Sequence, residues 1–253
     1  MAKADLAGMV KYCDQTLGTR LVKDYDKAWN GLQVQNSGKV TRIAAAVDAS
    51  LATVRMAVED GADLLLVHHG LFWTQRQPWT GATRDLLGLL IQNNLAVYSS
   101  HLPLDLHPSL GNNAILCALL GFKRLKPFFQ SHGQLIGMRA NVAVSRQTLA
   151  DRLRRATGGR VHVLPGGPEQ CRRIGVVTGG AGAELALAAA GGVDTFITGE
   201  GPHWTHSQAE ELGLNLFYAG HYATETFGVK ALAECLSQKF KLPWVFLDHP
   251  SGL

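Results

Sequence analysis

Histidine and carboxylate side chains follow three apolar stretches of this chain, at the points where the stretches end. The stretches read LLLVHHG, then AVYSSH with an Asp four residues after its His, and NLFYAGH with a Glu four residues after its His. Imidazole and carboxylate together suit Zn, Fe, Mn, Co or Ni, whereas a calcium cage uses oxygen ligands only. We therefore predict a metal site. Its candidate ligands are His68, His69, His101, Asp105, His221 and Glu225.

The size of this ligand set predicts two metal ions. Six protein ligands exceed the three that are typical of a mononuclear catalytic zinc site. They suit two divalent ions about 3.5–4 Å apart, bridged by water or hydroxide. Four neutral imidazoles and two carboxylates contribute −2 against +4 from two divalent ions. The remaining positive charge would stabilise a bridging hydroxide and attract an anionic substrate such as a phosphate.

Each pair of ligands also has an ordinary explanation when it is taken alone. Adjacent His residues at a strand end point to opposite faces, so that one of them can be a satisfied core group. A single His-x-x-x-Asp or His-x-x-x-Glu is common. The joint occurrence at three strand ends is what favours a metal site. Pro103 bars residues 101–105 from an ordinary helix interior, so we expect a turn to bring His101 and Asp105 together.

Strands and helices alternate along the chain, which indicates βαβ units and a largely parallel sheet. Ligands in such sheets bind at the carboxyl ends of the strands, where the candidate side chains fall. The predicted strands of the first half cover residues 42–48, 63–70 and 95–101. The predicted fold class is α/β, with two related α/β lobes, largely parallel or mixed sheets and an internal repeat.

The repeat is visible when residues 42–73 are aligned with 173–204 without gaps. Eight of 32 positions are identical, against the roughly two or three that composition would give. Residues 95–105 then align with 215–225, which matches His101 with His221 and Asp105 with Glu225. The sequence therefore predicts two half-sites, one in each lobe.

The predicted domains are a first lobe over residues 1–125 and a second over 126–253. Residues 126–170 form a basic, insert-like segment within the second lobe. We also expect residues 221–253 to pack back onto the first lobe.

A second group of polar residues lies where the first copy of the repeat carries its adjacent His residues. Glu200 is the predicted catalytic residue, and His203 and His206 follow it. These side chains suit a proton shuttle or a group that orients a metal ligand; polar residues at a helix start are an equally good explanation. TGGAGAE (178–184) follows a strand, and its amides could cradle an anion, although tight packing is the favoured explanation.

Composition narrows the class of protein. The first residues lack the apolar core of a signal peptide, and no apolar run reaches the roughly 18 residues of a membrane span, so we expect a cytoplasmic protein. The four Cys residues are far apart and form no Cys-x-x-Cys, which argues against a disulfide framework. A net charge of +4 is too small to indicate nucleic acid, and the basic residues show no aromatic interleaving. Nucleic-acid binding therefore ranks last.

Five segments follow the order found in a known family: AWNGLQV, LVHHGLFW, SSHLPLD, TGEGPHW and GHYATE. Over nearly its whole length the chain resembles the GTP cyclohydrolase I type 2 homologs, also called Nif-three-like proteins. The resemblance implies a dinuclear metal site built from the six candidate ligands. It also implies two α/β lobes and a homohexameric ring, a toroid, whose sites face the interior. The family name suggests GTP cyclohydrolase chemistry.

The leading functional hypothesis is a cytoplasmic hydrolase that uses two divalent metal ions on a small anionic substrate such as a nucleotide. The metal pair would deliver hydroxide to a purine C8 position, an amide or a phosphate ester. Glu200 or a nearby His would carry the proton. The alternative is a metal-binding, metal-delivery or ring-scaffold protein without turnover. The ligand types do not decide which metal is bound.

Overall fold

The computed structural model describes residues 3–73 and 78–253, and the chain divides into two compact units. The first unit contains the residues up to Leu104 together with Gly228–His249. The second contains Asp105–Phe227 and Pro250–Leu253. The boundary predicted after residue 125 falls inside the second unit, because Leu116 and Cys117 pack into the core of that unit.

The helices and strands alternate along most of the described chain. Up to residue 105 they are β1 (Ala4–Asp5), α1 (Leu6–Leu17), β2 (Gly31–Val34), β3 (Lys39–Val40), β4 (Ile43–Asp48), α2 (Leu51–Glu59), β5 (Leu64–His69), α3 (Gly81–Gln92), β6 (Ala96–Ser99) and α4 (Leu102–Asp105). Beyond it they are α5 (Asn112–Leu119), β7 (Lys126–Ser131), β8 (Gln134–Ser145), α6 (Arg146–Thr157), β9 (His162–Pro165), β10 (Gln170–Val176), α7 (Leu185–Ala190), β11 (Thr195–Thr198), α8 (Thr205–Glu211), β12 (Asn215–Tyr218), α9 (His221–Phe240) and β13 (Trp244–Phe246). A short 3-10 helix, Ala181–Glu184, precedes α7.

The main sheet of the first unit has the order β13-β4-β5-β6-β2. The first four strands are parallel, and β2 pairs antiparallel with β6. Strands β4 and β5 are nearly continuous apolar runs, as expected for parallel strands that are covered on both faces. Because β4, β5 and β6 run in the same direction, their carboxyl ends bring Asp48, His69 and His101 to one edge of the sheet.

The turn after β4 is fixed by a capping box at the start of α2. The Ser50 hydroxyl accepts from the Thr53 amide, and the Thr53 hydroxyl accepts from the Ser50 amide. The Thr53 hydroxyl also donates to the Asp48 carbonyl at 2.7 Å. These bonds satisfy amides at the helix start and hold Asp48 at the end of its strand.

The sheet of the second unit has the order β7-β8-β10-β11-β12-β9. Its three central strands, β10 to β12, are parallel, and β9 pairs antiparallel with β12 as β2 does with β6. The pairing of Ile43 with Leu64 in the first sheet recurs between Ile174 and Thr195 in the second. The mixed sheets and their helices confirm the predicted α/β fold class. The shared topology and register agree with two related lobes, which stay a prediction.

The third strands of the two sheets depart slightly from the sequence alignment. Leu64 pairs with Ala96, whereas Thr195 pairs with Asn215, the residue aligned with position 95. The two strands therefore differ by one residue in register. The aligned His residues differ accordingly: His101 follows its strand before a helix begins, whereas His221 is itself the first residue of a helix.

The expectation that a turn, and not a helix, joins His101 to Asp105 was wrong. Residues Leu102–Asp105 form one helical turn, α4, and the Leu104 amide donates to the His101 carbonyl at 2.9 Å. Pro103 is the second residue of this turn, where a backbone N–H would have no acceptor within the helix. Both half-sites therefore place a His at the start of a helix that follows a parallel strand.

Two features concern the described chain more widely. Helix α9 begins in the second unit and ends in the first, and β13 then joins the first sheet beside β4. None of the described helices combines the length and the apolarity that crossing a bilayer requires.

Candidate metal centre

Three imidazoles come together at the carboxyl edge of the first sheet. One ring nitrogen from each of His68, His69 and His101 lies within 4.8 Å of the others. The ring centroids are 4.8–5.6 Å apart. His68 and His101 are buried and His69 is half-buried. The strand ends at His69, so the two adjacent rings join one cluster although neighbours within a continuing strand alternate between faces.

Asp48 orients the imidazole of His69. The two residues are directly paired across β4 and β5, and Asp48 Oδ1 lies 2.8 Å from His69 Nδ1. A carboxylate can only accept, so Nδ1 carries a proton, and in the neutral imidazole Nε2 then carries the lone pair. That tautomer is the one in which Nε2 can bind a metal ion.

Asp24 does the same for His101 from an irregular segment between α1 and β2. Its Oδ1 lies 2.8 Å from His101 Nδ1, and its Oδ2 accepts from the Leu102 amide at 2.9 Å and from Asn30 Nδ2 at 2.8 Å. The Asn30 side-chain oxygen accepts from the His101 amide at 2.7 Å. Backbone and side chain of His101 are therefore both held by this segment.

The Asp24 carboxylate is charged although only 5% of its side chain is exposed. Burial by itself raises the pKa of Asp24, but hydrogen bonds from His101, Asn30 and the Tyr25 amide outweigh it and hold the pKa below its ordinary value. A buried carboxylate behind a histidine is the arrangement that fixes a metal-binding imidazole.

The third imidazole is oriented by the backbone. His68 Nδ1 lies 3.0 Å from the carbonyl oxygen of Ser100, which follows β6. All three rings of the cluster thus direct Nδ1 at an oxygen acceptor, which leaves Nε2 as the metal-binding nitrogen in each. Three imidazoles so arranged are a suitable donor set for a divalent ion of the zinc, iron, manganese, cobalt or nickel type.

In the second unit, His221 and Glu225 lie one turn apart at the start of α9. His221 Nε2 is 3.1 Å from Glu225 Oε2, and His221 Nδ1 is 2.7 Å from Glu200 Oε1. Glu225 is buried, whereas 40% of the Glu200 side chain is exposed. Glu200 therefore contacts the ring nitrogen that Asp48 and Asp24 contact in the first unit, and its predicted role in proton transfer stays a prediction.

The two carboxylates keep His221 protonated in the metal-free protein. Burial disfavours the charged imidazolium, but Glu225 and Glu200 outweigh it and raise the pKa of His221 to about 9, from an ordinary value of 6.5. A proton and a divalent cation would satisfy the same pair of carboxylates, so they compete at this position.

This raised pKa predicts a pH-dependent stability in chelator-treated protein. The stability contributed by His221 is complete below pH 6.5 and is lost as pH rises through about 9, because the folded state binds the proton more tightly than the unfolded chain. Urea unfolding at several pH values across this window measures the loss. The His221→Gln variant should show a flatter profile, and an unchanged slope in that variant would contradict the assignment.

The glycine-rich turn after β10 packs against the His221 half-site. Gly179 has φ +74°, and a Cβ there would collide with Glu225 Oε1; a Cβ on Gly180 would lie 3.3 Å from the His221 ring. Two of its amides are already used, since Gly179 N donates to Thr224 Oγ1 at 3.1 Å and Gly182 N to the Glu200 carbonyl at 3.0 Å. Tight packing therefore accounts for the glycines of this turn. The sequence favoured this explanation over an anion cradle.

The remaining candidates have different surroundings. Asp105 is buried, and its Oδ1 accepts from Asn112 Nδ2 at 2.7 Å, while Asn113 Nδ2 lies 3.3 Å from its carbonyl oxygen. These bonds fix Asp105 at the end of α4. His203 and His206 are exposed near the start of α8, where His206 Nδ1 lies 3.9 Å from Glu210. Their positions match those of polar residues at a helix start.

Comparison with known proteins identifies the family of this chain. The family model for DUF34/NIF3 (NGG1p interacting factor 3) matches residues 4–251. The chain belongs to the DUF34/NIF3 family. This confirms the family predicted from the five sequence segments.

Two curated relatives illustrate the similarity. A Deinococcus radiodurans protein named GTP cyclohydrolase 1 type 2 homolog is 44% identical over 230 residues, which cover 90% of this chain and 88% of that protein. An Archaeoglobus fulgidus protein of the same name is 38% identical and matched over 98% of this chain and 100% of its own length. Among solved structures, TTHA1606 from Thermus thermophilus has a TM-score of 0.90 and 41% identity, covering 99% of this chain and 100% of that one.

Sequence reasoning missed the groups that orient the imidazoles. Asp48 carried a usable signal, because it ends the apolar run of β4 at the same sheet edge as the His residues. Asp24 and Asn30 carried little signal, since they lie in an irregular segment more than 70 residues before His101. Ser100 acts through its backbone, which no residue type reveals.

Proposed function

We propose that this protein is a metal-dependent hydrolase of the DUF34/NIF3 family that acts on a small anionic, nucleotide-like substrate. The observation that carries the proposal is the orientation of the imidazoles. His69, His101 and His221 each direct Nδ1 at a carboxylate, and His68 directs Nδ1 at a backbone carbonyl. Outer carboxylates of this kind hold metal-binding histidines in place and raise their basicity.

The proposal assigns two divalent ions to the six predicted ligands. What supports it is the repeat, in which His101 and Asp105 align with His221 and Glu225. The identity of the ions stays open among Zn, Fe, Mn, Co and Ni. When bound, such a pair polarises a substrate oxygen and lowers the pKa of water.

The residues of the chain have separate parts in this proposal. Asp24 and Asp48 orient the imidazoles of His101 and His69 through Nδ1, so that the ligand positions are set before the substrate binds. Glu200 holds His221 and, with its side chain 40% exposed, can exchange a proton with solvent at its carboxylate. The excess positive charge of two divalent ions over two ligand carboxylates favours an anionic substrate.

The proposal includes an assembly and a place of action. We propose a homohexameric ring in the cytoplasm, which the resemblance to the family implies. The mass in solution, measured by light scattering, tests the ring directly, and a monomeric mass would remove that part of the proposal.

A metal-replete screen of nucleotides and phosphoesters tests the activity. The protein is purified without chelator, its metal content per chain is measured, and product formation is compared with that of the His101→Ala variant. Hydrolysis that needs His101 supports the proposal. Bound metal with no turnover of any compound would favour the metal-binding or scaffold alternative, and the absence of metal under every loading condition would overturn the site.

A further inference from the structure

Aromatic side chains lie directly against the three-imidazole cluster of the first unit. Trp73 packs edge to face on His101 and His69, with ring centroids 4.7 and 5.4 Å apart. Tyr25 lies 5.7 Å from His101 and 6.2 Å from Trp73. The candidate ligands therefore have an aromatic wall beside them, which the proposed chemistry does not by itself require.

A second aromatic pair is exposed, and one of its members, Phe72, directly precedes Trp73 in the chain. The rings of Trp29 and Phe72 are 6.1 Å apart at an interplanar angle of 62°. Trp29 is 65% exposed and Phe72 is 46% exposed. Single exposed apolar side chains are ordinary, whereas exposed aromatic side chains that contact each other are a feature of ligand-binding surfaces. We call Trp29 and Phe72 the outer aromatic pair.

The backbone that carries the outer aromatic pair is held in place by Gln33. Its Nε2 donates to the Trp29 carbonyl at 2.6 Å, and its Oε1 accepts from the Leu71 amide at 2.6 Å. The side-chain amide of Gln33 lies against Gly70, where an added Cβ would collide with it. The segments before β2 and after β5 are thus tied together, so less ordering is needed when a ligand binds.

Resting on the proposed function, we infer that the outer aromatic pair binds a planar heteroaromatic ring of the substrate, while the anionic group of the substrate faces the metal ligands. Every nucleobase offers a flat π face that stacks on aromatic side chains, whatever its hydrogen-bonding edge. A sugar phosphate carries the anion but no such ring. The substrate class is therefore an anionic molecule with a planar heteroaromatic ring.

Binding of two probes that share a phosphate tests this inference. Guanosine monophosphate carries a base, and ribose 5-phosphate does not; isothermal titration measures both in metal-loaded and in metal-free protein. The unsubstituted protein is expected to bind guanosine monophosphate at least about tenfold more tightly than ribose 5-phosphate. The Trp29→Leu variant should lose about this factor for guanosine monophosphate and leave ribose 5-phosphate unchanged.

Matched variants keep the outcome interpretable. Trp29→Phe retains a ring and should retain most of the preference for the base, and Phe72→Leu should lose part of it. Equal affinities of Trp29→Leu and the unsubstituted protein for guanosine monophosphate would overturn the inference. So would a Trp29→Leu variant that changes only the mass in solution, because the pair would then contact a second copy of the chain.

The failure of the proposed function is distinguishable from the failure of this inference. If the protein never loads metal but still prefers guanosine monophosphate through Trp29, the proposed metal chemistry is wrong and the role of the outer aromatic pair stands. If the protein loads metal but shows no preference between the two probes, the role of the outer aromatic pair is wrong and the metal centre stands.

Discussion

The His101→Ala variant is expected to bind metal at least about 100-fold more weakly than the unsubstituted protein and to lose any metal-dependent hydrolysis. The substitution removes one of the three nitrogens that lie within 4.8 Å of one another. Loss of a group that only orients a ligand typically costs 10- to 100-fold in metal affinity, so loss of the ligand should cost more. Metal content per chain and competition with a chromophoric chelator measure the effect.

The same variant should also be less stable without metal. Asp24, whose side chain is 5% exposed, would keep its charge and lose the imidazole that it accepts from. A buried group that loses its hydrogen-bond partner lowers the free energy of unfolding by about 1–3 kcal/mol. The exposed His162 provides the control, since His162→Ala removes an imidazole from a strand surface. Equal metal content and affinity in both variants would exclude His101 as a ligand.

The Asp24→Asn variant is expected to weaken metal binding by about 10- to 100-fold while every predicted ligand remains. The amide keeps the shape of the carboxylate but loses the charge that stabilises His101 as a donor. The substitution also disturbs the hydrogen bonds from the Leu102 amide and the Asn30 side chain, because both end on a carboxylate oxygen of Asp24 in the unsubstituted protein. The free energy of unfolding should fall by about 2 kcal/mol, the contribution of a hydrogen bond to a charged group.

The acid limb of stability gives Asp24→Asn an independent readout. The pKa of Asp24 lies below its ordinary value of 3.8 in the folded protein, so its stabilising contribution is present above about pH 4 and is lost as pH falls through the folded pKa. The variant should lack this contribution and lose less stability than the unsubstituted protein on acidification. Asp26→Asn, at an exposed position of the same segment, is the matched control. An equal loss of metal affinity in Asp26→Asn would contradict the role of Asp24.

Much of the fold could be predicted because its signals are local. The apolar runs of β4 and β5 are covered on both faces, and helices with clear start signals, such as Ser50 before α2, lie between parallel strands. Pro103 misled the prediction because its effect depends on position within a helix. It excludes a helix interior but is tolerated in the first turn, and only the structure shows that α4 begins just before it.

The limits of the compact units could not be read from local pattern. Helix α5 packs with the core that contains Leu149 and Leu153, and β13 adds to the first sheet nearly 200 residues after β4. Both associations depend on which apolar faces meet after the chain has collapsed. A change of composition along the chain, such as the basic segment after residue 125, marks a surface property and not a core.

The sequence by itself determined the kind of chemistry: four imidazoles and two carboxylates, in a repeated order, at the ends of strands. The tertiary structure decided which nitrogen of each imidazole is oriented for a metal ion, since that depends on the acceptor that meets Nδ1. Asp24 lies in an irregular segment 77 residues before His101 and contacts Nδ1 of that residue, whereas Asp48 contacts Nδ1 of His69 across a pair of strands. Residue type fixes what a side chain can donate or accept, but the folded backbone alone fixes which groups stand within hydrogen-bond distance.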